Sequence, residues 1–261
     1  KTDSFTFFLL FFYSNIIGLN PGLAGSAIFI ALCIDAVTDP LMGTISDRTN
    51  TSLGRRHPYM MISFIPMSLG YIFLFAPRQD WDMSQSDLFI WMTIFTVLTR
   101  IGMTLFDIPH RAFGGEVTKN YKERTILMSW REMVGWVAGL SNAFLGYGIF
   151  FASTPEYPQG QLNPDAWFPF AVTGSIFMII SVLYSSLSTK DEIKSLSKWS
   201  GSISLIDIIK ELKIAISNRA FLIFFFGNLF LSLAWGLSNT LTLFVNTYFW
   251  EFEATQIKYF L

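Results

Sequence analysis

The sequence predicts an all-α membrane protein. Long apolar stretches alternate with short polar connections along its 261 residues, and a spanning helix needs about 20 mostly apolar residues. The chain is 52% hydrophobic and 17% aromatic but only 14% charged, whereas soluble domains carry about 25% charged residues. Its formal net charge of −1 offers no overall attraction to nucleic acid, and its single cysteine excludes an internal disulfide.

Seven segments are predicted to be helices, with polar or proline-rich connections between them. They comprise residues 5–18, 23–45, 58–77, 87–115, 125–152, 166–187 and 220–249. The first is short for a span, and the fourth is expected to be interrupted at Pro109. A tight turn is expected at 19–22 and a long loop at 153–165. Three glycines of the fifth helix, Gly135, Gly139 and Gly146, are interpreted as sites of close helix packing.

Lysine and arginine are concentrated in every second connection. The three basic connections hold Arg48, Arg55, Arg56, Lys119, Lys122, Arg124, Lys190, Lys194, Lys198, Lys210, Lys213 and Arg219. The alternate connections hold Arg78 alone. Because basic loops stay in the cytoplasm, the N-terminus and these connections are predicted to be cytoplasmic, in a plasma membrane of the bacterial inner-membrane type.

The order of the segments predicts two bundles joined by a basic connection. Residues 1–187 are expected to form a six-helix transmembrane bundle with a truncated first helix. Residues 188–219 form a cytoplasmic connection, in which apolar residues at helical spacing over 205–216 indicate an amphipathic surface helix. Residues 220–261 hold the seventh helix and the start of an eighth. Transporters built from two six-helix halves have this layout, so the chain is expected to be part of a longer protein, without most of its C-terminal half.

Two carboxylates, Asp35 and Asp39, lie one turn apart in the second apolar segment. A charge at mid-bilayer costs about 2.5–3.5 kcal/mol on insertion scales, so intramembrane acids indicate a functional site. Carboxylate oxygens suit a hard cation such as Na⁺, and protonation would neutralise the same charge. Both Na⁺ and H⁺ therefore stay open, as does pairing of the two acids with arginines of other helices.

The fourth helix carries a polar stripe. Arg100, Thr104, Asp107 and Arg111 fall on one face of a helix with 3.6 residues per turn. Exposure of such a stripe to lipid would have a high free-energy cost, so it is predicted to line a cavity. A carboxylate and a guanidinium suit vicinal hydroxyls, since each offers two spaced acceptors or donors. An ion pair of Asp107 with Arg111 or with Arg131 of the fifth helix is the structural alternative.

The connection after the second helix carries a pattern of glycines, an acid and arginines. Its members are Gly43, Asp47, Arg48, Gly54, Arg55 and Arg56. This pattern resembles the loop signature of the major facilitator superfamily, although its two parts are further apart here than usual. The resemblance implies a cytoplasmic gate, in which Asp47 binds a helix terminus or an arginine of a neighbouring helix.

A more specific resemblance covers about residues 7–261. The stretches 35–43, 43–56, 107–112, 123–125 and 247–250 together resemble the glycoside–pentoside–hexuronide:cation symporter family, which includes the melibiose carriers. The resemblance implies the six-helix N-terminal bundle of the major facilitator superfamily and the start of its C-terminal bundle. It implies a cation site at Asp35, Thr38, Asp39 and Thr104. It also implies that Asp107 and Arg131 bind sugar.

One position departs from the melibiose carriers. Those proteins have a tryptophan four residues after the sugar-binding aspartate, where this chain has Arg111. With Arg100 on the same stripe, both arginines are candidate substrate ligands. An anionic substrate, such as a hexuronide or a sulfonated sugar, therefore stays open beside neutral glycosides.

The implied function is cation-coupled symport of a sugar or glycoside by alternating access, with no cofactor besides the coupling ion. A transporter of lysolipids or other organic anions, and a non-transporting membrane sensor, are the alternatives. A membrane enzyme with two catalytic acids is disfavoured, because such enzymes place the acids on different helices. The expected partners are the substrate, the cation, the lipid bilayer and the remaining half of the same protein.

Overall fold

The computed structural model describes residues 8–191, 213–214, 216–252 and 256. The predicted amphipathic helix lies mostly outside these residues, and the predicted start of an eighth helix lies almost wholly outside them. Within the described part of the chain, all regular structure is helical and no strand occurs.

Helices occur in each of the seven predicted segments, and they are numbered α1 to α7. Their bounds are Phe8–Ile17 for α1, Pro21–Arg48 for α2, His57–Ile62 and then Phe64–Leu74 for α3, Gln85–Glu116 for α4, Tyr121–Leu145 for α5, Trp167–Ser188 for α6 and Arg219–Phe244 for α7. The second half of α1 is π-helical, and so are the five residues that extend α5 and α7. In the described residues, α2, α4, α5, α6 and α7 are long and apolar enough to cross a membrane.

Side-chain caps set where several helices begin. Asn20 accepts from the Gly22 amide at 2.8 Å, so α2 begins at Pro21 and the tight connection predicted at 19–22 lies at residues 18–20 instead. Proline suits this first helical position, because its missing amide would have no partner there. Gly18 closes α1 with φ +83°, a left-handed conformation that favours glycine.

Prolines act differently in α3 and α4. Helix α4 runs through Pro109 without a break, so the predicted interruption is wrong. Helix α3 is instead broken at Ser63, immediately after Ile62. A proline ring clashes with the carbonyl four residues earlier, and Pro66 lies four residues after Ile62. The break in α3 is therefore at the position where Pro66 disturbs the helix.

Helix α4 is the centre of the described bundle. It packs most extensively against α2 and α3, and α3 also packs against α6. Two glycines permit the close crossing of α3 and α4, because a Cβ on Gly70 would overlap Thr99 and one on Gly102 would overlap the Met67 backbone. By contrast, a Cβ on Gly135 or Gly139 of α5 would meet no atom within 4 Å. The prediction of close packing is therefore wrong at these two glycines within the described residues. It is confirmed at Gly146, just after α5, where an added Cβ would lie 3.3 Å from the Phe170 ring of α6.

Aromatic side chains form the core at one end of the bundle. Trp167, which is fully buried, stacks on Phe75 at 5.9 Å between ring centroids and contacts Phe151 at 4.7 Å. Phe8 of α1 packs edge-on against the same indole. The buried Tyr13 hydroxyl donates to the Leu74 carbonyl at 2.8 Å. This cluster joins α1, α3 and α6 at one end of the bundle. The connection between α2 and α3, called the arginine-rich loop below, lies at the opposite end.

The same end of the bundle also holds the C-terminal part of α7. Gln161 donates to the Thr247 hydroxyl at 3.1 Å, and Tyr248 donates to Asn15 of α1 at 2.7 Å. The predicted loop at 153–165 contains two short 3₁₀ turns, Gly160–Leu162 and Pro164–Ala166. Among the residues of α7 whose burial is described, most of those before Leu243 are exposed, and Trp235 contacts Trp136 of α5 edge-on.

Candidate functional site

The acid pair of α2 faces α4 and meets two polar residues there. An Arg100 Nη1 donates to Asp35 Oδ2 in a close ion pair. One turn further along both helices, the Thr104 hydroxyl donates to Asp39 Oδ1 at 2.6 Å. The four side chains thus form two rungs between α2 and α4, four residues apart on each helix. Thr38 lies beside them, half-buried, and its hydroxyl is 3.5 Å from the Asp35 carbonyl that accepts from it.

The ion pair of Asp35 and Arg100 is largely buried, but its hydrogen bonding is incomplete. Side-chain exposure is 11% for Arg100 and 19% for Asp35. The second carboxylate oxygen of Asp35, Oδ1, is buried and has no hydrogen-bond partner. A buried polar atom without a partner carries a desolvation cost, so this oxygen has capacity for another ligand. Asp35 is therefore paired with an arginine of another helix, as the structural alternative expects, whereas Asp39 accepts from a hydroxyl.

The predicted sugar ligands are not brought together. Asp107 accepts from Arg111 Nε at 2.6 Å along α4, and Arg131 Nη2 donates to the neighbouring Glu132 at 2.9 Å. Among the described side chains, Asp107 and Arg131 form no ion pair with each other. Helix α5 packs only lightly on α4, which leaves the two groups separate in this conformation.

A cavity of about 370 Å³ lies between α3, α4, α5 and α6. Arg131 lines it, together with the polar Asn142 and Ser181. Most of the remaining wall is apolar, including Tyr71 of α3 and Phe106 of α4. Ligand pockets are commonly of this kind, with apolar walls and a few polar groups that orient the ligand. Of the described residues that line the cavity, Arg131 alone is charged.

The arginine-rich loop forms an ion-pair cluster at the C-terminal end of α4. Arg56, which is buried, donates to Asp47 of α2 at 2.8 Å and to Glu116 of α4 at 2.9 Å. Arg55 also pairs with Glu116. The cluster thereby ties together the ends of α2 and α4 and the start of α3.

The remaining residues of the loop pattern, Gly43, Arg48 and Gly54, lie outside this ion-pair cluster. Gly54 adopts φ +78°, which favours glycine. Gly43 lies beside Ile108 of α4, where an added Cβ would be at an ordinary contact distance of 3.7 Å. Arg48 is exposed at the end of α2. A second link at this end joins α3 to α6, because the buried His57 ring lies 2.9 Å from the Thr189 hydroxyl.

Sequence reasoning missed Glu116. An acid in the last turn of a helix lies at the negative end of the helix dipole, where it is disfavoured. The available signal was an acid in an unfavourable position, at a helix end predicted to lie on the same side of the membrane as the loop with three arginines. Its partner could not be chosen from the sequence, because that choice depends on how α3 and α4 cross.

Comparison with known proteins places these features in a family. The model of the family described as MFS/sugar transport protein matches residues 2–261. An uncharacterized symporter of Synechocystis, sll1374, is 32% identical over 71% of this chain and 34% of its own length. The putative glycoside/cation symporter YagG of Escherichia coli is 30% identical over 58% of this chain and 39% of its length.

A vertebrate protein is similar as well. The sodium-dependent lysophosphatidylcholine symporter 1-A of Danio rerio is 32% identical over 57% of this chain and 28% of its own length. The chain spans less than half the length of each of these three relatives. Since the family model covers almost every residue and the described fold is all-α with several membrane-length helices, the chain is a multi-pass membrane protein that belongs to the MFS/sugar transport protein family.

Proposed function

We propose that this chain is part of a symporter that couples the uptake of a sugar or glycoside to a cation, Na⁺ or H⁺, by alternating access. The observation that carries the proposal is the pair of carboxylates, Asp35 and Asp39, held by Arg100 and Thr104 between two apolar helices. Polar groups of this kind inside a membrane helix bundle are typical of ion and substrate pathways. The relative named as a putative glycoside/cation symporter supports the same class of substrate and ion.

In this proposal the cation binds at Asp35, Thr38, Asp39 and Thr104. The substrate binds at Asp107, Arg131 and Arg111, and Arg100, at the other end of the α4 stripe beyond Thr104, is the fourth candidate substrate ligand. Thr104 and Asp107 are three residues apart on α4, so a shift of this helix on cation binding moves the substrate ligand with it. Because coupling is reciprocal, substrate must raise the affinity for the cation by the same factor as the cation raises that for substrate.

Substrate binding also requires α5 to close on α4 in this mechanism. The cavity that Arg131 lines is bounded by both helices, and the light packing of α5 allows it to move. Closure would bring the Arg131 guanidinium towards the Asp107 carboxylate. Each group offers two hydrogen-bonding atoms to neighbouring hydroxyls of a sugar ring.

We further propose the arrangement of the chain in the protein. Residues 1–187 form the N-terminal bundle, 188–219 the cytoplasmic connection, and 220–261 the seventh helix with the start of the eighth. The concentration of lysine and arginine in every second connection supports a cytoplasmic N-terminus for a protein of a bacterial inner membrane. The cluster of Asp47, Arg56 and Glu116 then lies on the cytoplasmic side, where its rupture would loosen the ends of α2 and α4 as a gate opens.

The test of this proposal is accumulation of labelled glycosides by the full-length protein in proteoliposomes. We expect accumulation to require either an inward Na⁺ gradient or an inward H⁺ gradient. Asp39→Asn should lower gradient-driven accumulation at least about tenfold, because it removes the charge that attracts the cation. Asp165→Asn, which changes an exposed loop acid, is the matched control and should leave accumulation unchanged. Accumulation that ignores both gradients would contradict symport.

One observation favours a second candidate, the transport of an anionic amphiphile. The described lining of the cavity is mainly apolar and includes the Arg131 guanidinium as its one charged group, which suits an acyl chain with an anionic head. One relative is named a sodium-dependent lysophosphatidylcholine symporter. The same proteoliposomes separate the candidates, since glycosides should compete with each other but not with lysolipids if the first proposal holds.

A further inference from the structure

The charges of the two rungs do not cancel. Asp35 and Asp39 supply two negative charges, and Arg100 supplies one positive charge. Thr104, the hydrogen-bond partner of Asp39, is neutral. No ion pair of Asp39 occurs among the described residues. The site therefore carries a net charge of −1, which one monovalent cation would neutralise.

Without Arg100, the same oxygen atoms would suit a different ion. Two carboxylates and a hydroxyl within one turn of each other resemble the oxygen ligands that divalent hard cations prefer. The buried and unpartnered Asp35 Oδ1 would be available to such an ion. The guanidinium on Asp35 Oδ2 opposes this, since like charges at this range repel strongly in a partly buried site.

We propose that Arg100 is a built-in counter-cation that limits the site to one monovalent ion and excludes divalent ions. Arg100 suits this role because a guanidinium keeps its charge at every physiological pH and forms directional hydrogen bonds with a carboxylate. In the proposed geometry Arg100 stays on Asp35 Oδ2, and the entering ion binds Asp39, the Thr104 oxygen and Asp35 Oδ1. The inference rests on the proposed function only in assigning the ion a role in coupling.

A series of variants changes the formal charge of the site in single steps. The wild type carries −1, Arg100→Gln carries −2, Asp35→Asn carries 0, and the double variant Asp35→Asn/Arg100→Gln carries −1 again. Arg100→Lys keeps the charge of the wild type. Arg78→Gln, which removes an arginine from exposed ion pairs in a distant loop, is the matched control.

The measurement is binding of Na⁺ and of Ca²⁺ to the purified full-length protein by calorimetry, without substrate or gradients. We expect Arg100→Gln to bind Na⁺ about tenfold more tightly than the wild type and to acquire Ca²⁺ binding, because one repelling charge is lost. Arg100→Lys and Arg78→Gln should match the wild type. Unchanged or weaker Na⁺ binding by Arg100→Gln, without Ca²⁺ binding, would overturn the proposal.

A second comparison covers the case in which Arg100→Gln fails to fold because it leaves Asp35 buried without its counter-charge. The double variant removes both charges of the pair, so it should fold and bind Na⁺ about tenfold more tightly than Asp35→Asn, which keeps the guanidinium. Equal binding by these two variants overturns the proposal. Failure of the symport proposal is a separate result, since it appears as gradient-independent accumulation while the binding series still follows the charge.

Discussion

At the scale of single residues, Thr104 and Thr96 show how the partner of a buried hydroxyl decides its role. Both threonines lie on α4 and are buried. Thr104 donates to the Asp39 carboxylate at 2.6 Å, whereas Thr96 Oγ1 is buried without a hydrogen-bond partner. A hydrogen bond to a charged group contributes about 1.5–3 kcal/mol to stability, whereas a buried hydroxyl without a partner only adds a desolvation cost.

Replacement of each threonine by valine keeps the side-chain shape and removes only the hydroxyl. Thr104→Val should weaken the apparent affinity for the driving cation by about tenfold to a hundredfold, because a bond of 1.5–3 kcal/mol to Asp39 is lost. Thr96→Val should leave this affinity unchanged and should not lower thermal stability. Cation titrations of uptake, with thermal unfolding of both purified variants, check these outcomes. Equal effects of the two changes would deny Thr104 a specific part in the site.

The same residues show what a sequence can and cannot establish about this site. Helical periodicity placed Asp35 with Asp39, and Arg100 with Thr104, each on one face of its helix. It could not show which acid meets which partner, because that depends on the rotation and vertical offset of α2 against α4. For a related reason, the sequence could not show that Asp107 and Arg131 lie apart. The family resemblance implies that both bind substrate, but the distance between them depends on how closely α5 packs on α4.

At the scale of helices, the crossing of α3 and α4 depends on two glycines that sequence reasoning did not select. It selected Gly135, Gly139 and Gly146 of the fifth predicted helix, since small residues often mark close packing in membranes. Within the described residues Gly135 and Gly139 face open space and only Gly146 is closely packed, whereas the α3–α4 contact is at Gly70 and Gly102. Glycine spacing alone is a weak signal, because it does not show which face of a helix has a neighbour.

The α3–α4 crossing can be tested at Gly102. Gly102→Ala places a methyl group against the Met67 backbone, which cannot yield as a flexible side chain would. Overpacking of this kind costs about 1–3 kcal/mol, so the thermal unfolding midpoint of the purified protein should fall. Gly139→Ala, which adds the same methyl to open space on α5, should not lower the midpoint, since alanine is the better helix former. Equal midpoints for the two variants would show that α3 and α4 are less closely packed than described.

At the scale of the whole molecule, the two ends of the bundle differ in chemistry. The arginine-rich end is held by ion pairs among Asp47, Arg55, Arg56 and Glu116. The opposite end is held by the aromatic cluster around Trp167 and by amide hydrogen bonds, such as Gln85 to the Gly18 carbonyl at 2.9 Å. The alternation of basic connections predicted this division of the loops between two ends, and the described loops follow it.

The charge asymmetry also predicts which end faces the cytoplasm, and cysteine labelling in intact cells can test it. After Cys33→Ala removes the native thiol, Ser52→Cys introduces one in the arginine-rich loop and Ser153→Cys introduces one at the opposite end; both positions are exposed. Because basic loops stay in the cytoplasm, a membrane-impermeant maleimide should label Ser153→Cys in intact cells. It should label Ser52→Cys only after permeabilisation. The reverse pattern would invert the proposed topology and move the ion-pair cluster to the outer side of the membrane.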